Sequence, residues 1–221
     1  MTTAIAPEKF ESLDFEAIAL AGLLPALARR KDFSGATLTD QGFGDTPAGV
    51  QLSRQLSVLF PPRDEIADSP THPPRAFVSH RTISGFGLST RRTWDLAAAN
   101  LQRRALTAQG LRFRTRCAAE ILPGCKEGIQ IQARGAEASA WLAHPQTFSI
   151  MDSHLRRLTH ATARQTLYYL VPDPATVVAL HDSPLKRVRH WSRRINEQRR
   201  LRGAVLAPEP LLWANGFPLE A

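Results

Sequence analysis

The apolar residues of this chain change their spacing several times, and that change of period constrains the fold more than any other feature. In VQLSRQLSVLF, residues 50–60, Val50, Leu52, Leu56, Val58 and Phe60 alternate with Gln51, Ser53, Gln55 and Ser57. This is the two-residue repeat of a half-buried strand, interrupted on its apolar face by Arg54 alone. In residues 91–108 the spacing becomes helical, with Trp94, Ala97, Ala98, Leu101 and Ala105 on one stripe. It returns to strict alternation in LRFRTRC, residues 111–117, and to helical spacing again in 185–201. Segments of the two kinds interleave without a regular strand-helix-strand rhythm, which predicts an α+β fold: one mixed or antiparallel sheet packed against three to four helices.

The remaining segments fill in that outline. Leu13, Ile18, Ala21, Leu24 and Leu27 predict a helix over 12–30, broken or kinked at Pro25. The Gly-, Asp- and Thr-rich stretch 33–49 reads as loop with a short strand at 36–39, and 61–74, with five prolines, as a long connection. AFVSHRTI, residues 76–83, is expected to be a strand leading through SGFGLST into the 91–108 helix, which Gly110 stops. LPGCKEG reads as the turn of a hairpin between 111–117 and the returning IQIQAR, and SAWLA as a weaker strand. TFSIMDSHLRRLTH is expected to be helical with Phe148, Met151, Leu155 and Leu158 inward, and TLYYLVP and TVVALHD to pair across the turn DPA. Asp182, Ser183 and Pro184 provide a cap and a first-turn proline for the last helix. The tail after Gly203 shows little periodicity, but Leu211, Leu212, Trp213 and Phe217 are too apolar to remain in water and are expected to cover the protein's own core or a second subunit, the latter giving a homo-oligomer.

At 221 residues and 43% hydrophobic side chains, the chain suits a single domain over 1–221, with an N-terminal subregion 1–60, the connection 61–74, a main body 75–203 and a docking tail 204–221. Cys117 and Cys125, the two cysteines, cannot build a disulfide framework or a four-thiolate zinc site, and are expected to be ordinary half-buried thiols in a reducing compartment. The apolar run 17–28 imitates the core of an export signal, yet Glu8, Glu11, Asp14 and Glu16 precede it where such a signal is positive. With no run long enough to span a membrane, the expected location is the cytoplasm.

Net charge is +8 and unevenly placed: residues 1–68 carry six basic and ten acidic side chains, 69–140 eleven and four, and 141–221 eleven and six. Only four of the 28 basic residues are lysine, so part of this bias reflects arginine-rich coding, and position matters more than the total. Two clusters stand out. Alternation sets Arg112, Arg114 and Arg116 on one face of a strand, about 6.7 Å apart, with Leu111, Phe113 and Cys117 on the other. Such a comb either tracks the phosphates of an extended nucleic acid or pairs with carboxylates across the sheet. The second cluster is the helix 185–202, where Leu185, Val188, Trp191 and Ile195 form the buried stripe and Lys186, Arg189, Arg193, Arg194 and Arg200 lie broadly opposite.

SGFGLST sits where phosphate-cradling loops do, but Thr90 stands where a dinucleotide loop needs a third glycine, and no GK[ST] follows; a glycine turn with Ser89 or Thr90 as helix cap explains it without a ligand and is the expected reading. The seven histidines show no metal-ligand or nucleophile-elbow spacing. ISGFGLSTRRTWDLAAANLQ, taken with TLYYLVPDPATVVAL, resembles a bacterial family of uncharacterised proteins in which a strand, a glycine turn and a helix ending in AxxNL precede a later strand ending in proline. That resemblance covers about half the chain and implies a bacterial α+β domain, with no activity, cofactor or metal to carry over. The expected function is a non-enzymatic binding or interaction module with arginine-rich surfaces, its partner a nucleic acid or another protein. One alternative is weak nucleic-acid backbone binding through Arg112, Arg114, Arg116 and the 185–202 helix. A second is a hydrolase using His80, His154 or His181 on an anionic substrate.

Overall fold

A computed structural model describes residues 20–32, 44–61, 77–111, 113–133, 135–162, 165–201, 203, 205–214 and 216–221. The fold is α+β, and every strand pairing in it is antiparallel. Strands β1 (Ala26–Arg29), β2 (Gly49–Gln51) and β3 (Leu56–Leu59) form a three-stranded sheet in the order β1-β3-β2. Helix α1 (His80–Gly85) and helix α2 (Thr90–Ala105) follow, then a two-stranded ribbon of β4 (Leu106–Thr107) and β5 (Gly110–Leu111). The principal sheet collects β6 (Arg114–Cys117), β7 (Gly128–Gln132), β8 (Tyr168–Asp173), β9 (Thr176–Leu180), β10 (Leu211–Ala214) and β11 (Phe217–Glu220) in the order β11-β10-β8-β9-β7-β6. Helix α3 (Pro145–Thr159) lies between β7 and β8 in sequence, and α4 (Leu185–Arg200) between β9 and β10.

Two apolar clusters occupy the two faces of the principal sheet. On one face Ile131, Tyr169, Val171, Val177 and Ala179 join Trp94, Leu101, Phe148 and Met151 of α2 and α3 and Leu27, Leu56 and Val58 of the smaller sheet. On the other, Leu170, Val178 and Leu180 pack against Val188, Trp191 and Ile195 of α4 and against Ala118, Leu122 and Cys125 of the β6–β7 connection. The helical stripe expected on α2 is buried throughout, at Trp94, Ala97, Ala98, Leu101 and Ala105, and Ser89 caps the helix by accepting from the Arg92 N–H. The β8–β9 pair, the β6–β7 hairpin and the span of α4 also form as the pattern predicts. The tail docks on the protein itself: β10 pairs with β8, Leu211 is buried, and Phe217 stacks on Trp94.

Several expectations are corrected. VQLSRQLSVLF is not one strand but the hairpin β2–β3, because Ser53 turns the chain, its hydroxyl accepting from the N–H groups of Gln55 and Leu56. AFVSHRTI is helical from His80, since Ser79 accepts from the Thr82 N–H as an N-cap. Helix α2 ends at Ala105, and Gly110, at φ +88°, instead closes the β4–β5 turn. SAWLA belongs to a 3₁₀ turn (Ala138–Leu142), and Leu158 is 45% exposed near the end of α3. Pro184 is the N-cap residue of α4, not its first turn. Of the helix expected over 12–30, residues 20–22 are helical and Ala26–Arg29 is strand β1, as the missing N–H of Pro25 dictates. Residues 12–19, the strand expected at 36–39 and the connection beyond Pro61 up to residue 76 lie outside the described residues.

Candidate functional site

The register of the principal sheet fixes which way the cations point. Arg114 is opposite Gln132 and Arg116 opposite Gln130. Gln130 in turn faces Val178, which faces Leu170, and both of those apolar residues pack under α4. Residues directly opposite across a sheet share a face, so Arg114 and Arg116 project on the α4 side. Arg112 lies outside the described residues. Strand β6 is an edge strand, exposed at all four residues. Cys117, expected on the inner face with Leu111 and Phe113, is therefore exposed, while Phe113 packs edge-on against Trp141. Cys125 is the buried thiol, raised to about 11 by burial and by the nearby Glu127 carboxylate.

Helix α4 lies across this face with its cations divided between two flanks. At 100° per residue, Lys186, Arg189, Arg193 and Arg200 fall within about 60° of one another, and Arg187, Trp191 and Arg194 within about 60° on another side. The first flank is turned toward the tail: Arg189 donates to the Ala221 oxygen at 3.0 Å, and Ser192 and Asn196 beside it both donate to Pro208 O. The second is turned toward the β6–β7 connection, where Arg187 pairs with Glu127 and the Trp191 ring lies 3.7 Å from the Cβ position of Gly124. Arg194 stacks over that ring at 5.6 Å. The cations therefore form two lines on one side of the sheet, a stripe along α4 and a group between α4 and the β6 edge, with the body of the helix between them.

The same side separates cations held by carboxylates from cations that are not. Arg116 donates to Gln130 Oε1 at 2.6 Å and to Glu120 at 3.0 Å, and Arg199, which was not among the candidates, pairs with Asp173 at 3.3 Å and reaches Thr176. The Glu127 carboxyl is held below its usual range: partial burial raises it, but backbone N–H groups and the Arg187 guanidinium outweigh that. Among the described residues no carboxylate side chain pairs with Arg114, Lys186, Arg189, Arg193, Arg194 or Arg200. These six are members of the set singled out by sequence.

The histidines nominated for catalysis are placed elsewhere. His80 opens α1, His154 packs against Phe113, and the His181 N–H donates to Glu127 O at the end of β9. Burial, with the Arg157 charge adding to it, lowers the His154 pKa. His144, only 4% exposed, meets a carboxylate: its Nε2 lies 3.1 Å from Asp95 Oδ1. Its Nδ1 accepts from the Gln146 N–H as the N-cap of α3, which assigns the proton to Nε2 and makes Asp95 the acceptor. Although burial pushes the other way, this bond and Arg91 hold the Asp95 carboxyl below its usual range. Both imidazole nitrogens are occupied, so the pair fastens α3 to α2. A sequence separation of 49 hid the pair from any spacing rule. A second buried network, Asp152 accepting from Tyr169 Oη at 2.6 Å and Arg156 Nε at 2.7 Å, joins α3 to β8 in the same way.

SGFGLST follows a helix rather than a strand, so it lacks the strand-to-helix setting of a phosphate-cradling loop, and its glycine at φ +66°, Gly87, serves the turn between α1 and α2. Among the described residues no three His, Cys, Asp or Glu side chains gather as a metal site, and no helix is long and apolar enough to cross a membrane. No family profile, curated protein or solved structure matches the chain.

Proposed function

We propose that this chain is a non-enzymatic binding module that holds an anionic partner on the α4 side of its principal sheet, and that the partner is a nucleic acid contacted through its backbone. The observation that carries this reading is the set of five cations, Arg114, Lys186, Arg193, Arg194 and Arg200, that share one side of the sheet without a carboxylate side-chain partner among the described residues, with Arg189 beside them bonded to the Ala221 oxygen. Surface cations serving only the fold are ordinarily interspersed with acids. Here Glu120, Glu127 and Asp173 are spent on Arg116, Arg187 and Arg199, whose pairs anchor the edge strand and both ends of α4, and Glu197 is the single acid on α4 among its cations. What remains is a surface whose charge is available to displace counterions from phosphates.

Titration of the protein into labelled oligonucleotides at about 50 mM salt tests this, because backbone binding is strongest at low ionic strength and falls steeply as salt rises. Micromolar binding that weakens with salt is expected, and the paired substitution Arg193→Glu with Arg200→Glu should weaken it at least tenfold, about 1.4 kcal/mol. Absence of binding to any oligonucleotide at that salt would remove the nucleic-acid partner.

A further inference from the structure

We infer that the nucleic acid this face takes is a duplex, gripped along the α4 stripe by its phosphates and without reading base sequence. The inference rests on the binding reading above and adds which form of nucleic acid is held, and by which line of cations. Proteins that hold single strands combine a basic track with exposed aromatic rings on which the freed bases stack. Among the described residues, the rings of Trp213 and Phe86 lie elsewhere. Trp213 shares the alternation of Leu211, which faces the α2–α3 side opposite Tyr169, so it projects away from α4. Phe86 caps α1, whose Ile83 belongs to that same opposite cluster. On the α4 side Trp191 is buried beneath Arg194, Tyr168 is half-buried against the cluster under α4, and the one exposed ring on the helix among the described residues is the small imidazole of His190, packed at 5.1 Å against Trp191. A single strand laid on the described surface would find a lone imidazole and no row of rings for its bases, whereas a duplex arrives with its bases already stacked.

The cations agree with that choice. The edge-strand comb is a poor track for a single strand, because Arg116 is already fastened to Gln130 and Glu120. The α4 stripe of Lys186, Arg189, Arg193 and Arg200 is about 21 Å long at 1.5 Å per residue. Such a row spans about six base-pair steps at 3.4 Å and supplies three to four phosphate contacts. Each contact also releases more counterion from a duplex than from a single strand, with log–log slopes of about −0.9 against −0.7. Contacts made to phosphates alone carry no base information, so discrimination between sequences is not expected.

The deciding experiment is a competition series with the full chain, using two unrelated duplexes of about 20 base pairs, their separated strands, and inorganic polyphosphate at matched phosphate concentration. The duplexes should bind about tenfold tighter than their strands, agree with each other within about twofold, and lose roughly 40- to 150-fold in affinity between 50 and 200 mM salt. Arg193→Glu with Arg200→Glu should make the salt slope shallower by nearly 2, and the milder Arg193→Gln with Arg200→Gln should do the same if the reversal perturbs the fold. Strands bound as tightly as duplexes, polyphosphate displacing duplex at equal phosphate, or one duplex strongly preferred over the other would each overturn the inference while leaving anion binding intact. Failure of every one of these anions to bind would instead overturn the function proposed above.

Discussion

Glu137 carries a proton at higher pH than a carboxyl ordinarily does, raised from 4.5 to about 7 by burial and by the neighbouring Asp173 charge. It precedes the 3₁₀ turn that docks on the β8–β9 connection, where the Ser139 N–H donates to Pro174 O, while Asp173 is turned to Arg199. A carboxyl whose folded pKa is raised favours the folded state in its protonated form. Its contribution is therefore fully present below pH 4.5 and is lost as pH rises through about 7. Because Glu137 is half-buried and solvent screens part of the effect, the loss should amount to about 1–2 kcal/mol. Glu137→Gln should make the protein more stable than the wild type at pH 8 by that amount and flatten the corresponding part of its pH profile in urea denaturation. A variant whose profile runs parallel to the wild type would show that the carboxyl is not perturbed. None of this was legible in the sequence, where Glu137 is an unremarkable acid two residues before the weak strand pattern SAWLA. The perturbation depends on Asp173, brought alongside only when the principal sheet forms.

Hairpin β2–β3 shows why an alternating pattern can name strands and still miss their number. Alternation continues through the turn, since Leu52 and Leu56 keep the parity of Val50 and Val58, and nothing in it requires the chain to reverse. The reversal is written instead in Ser53, whose hydroxyl accepts two backbone N–H bonds and donates to Glu220 Oε1 at 2.6 Å. Glu220 also accepts from the Gln55 N–H, so the turn is completed by a carboxylate 167 residues away in the last strand. Ser53 is 9% exposed, and removing its hydroxyl would strand these partners, so Ser53→Ala should cost about 1–2 kcal/mol. Against Glu220→Gln a double-mutant cycle should return a coupling of about 0.5–3 kcal/mol, the range for residues in direct contact. Additive effects would mean that the turn holds without the tail. Elements whose stripes were long and local, α2, α4 and the β8–β9 pair, were legible because their burial is set within one or two turns of chain. AFVSHRTI and SAWLA were not, because in each a capping or turn geometry overrode a short β-prone pattern.

Across the whole molecule, one apolar cluster reaches from the small sheet to the principal one: Leu27, Leu56 and Val58 share it with Trp94, Leu101, Phe148, Tyr169 and Val177. The 3₁₀ turn at Ala138–Leu142 contacts both β1 and β9, and the Ser53–Glu220 bond joins the two sheets at a second point. A three-stranded sheet of three- and four-residue strands buries too little alone to be independently stable, so its stability must come from this shared core. The second cluster, under α4, has its own tryptophan, Trp191, whereas Trp94 and Trp141 belong to the first. The two clusters lie on opposite faces of the same six strands, and neither can lose its floor without the other losing it too. Urea unfolding should therefore follow a single transition, with tryptophan fluorescence and far-ultraviolet ellipticity giving coincident curves. Deleting residues 204–221 would remove β10, β11 and the Pro208 acceptor that Ser192 and Asn196 share, and should shift that transition to lower urea by several kcal/mol of stability, about 2–5 for the loss of Leu211 and its neighbours. Two separated transitions in the intact chain, with ellipticity lost in part before the fluorescence of Trp94 and Trp141 changes, would show instead that the small sheet folds as a unit apart from the principal one.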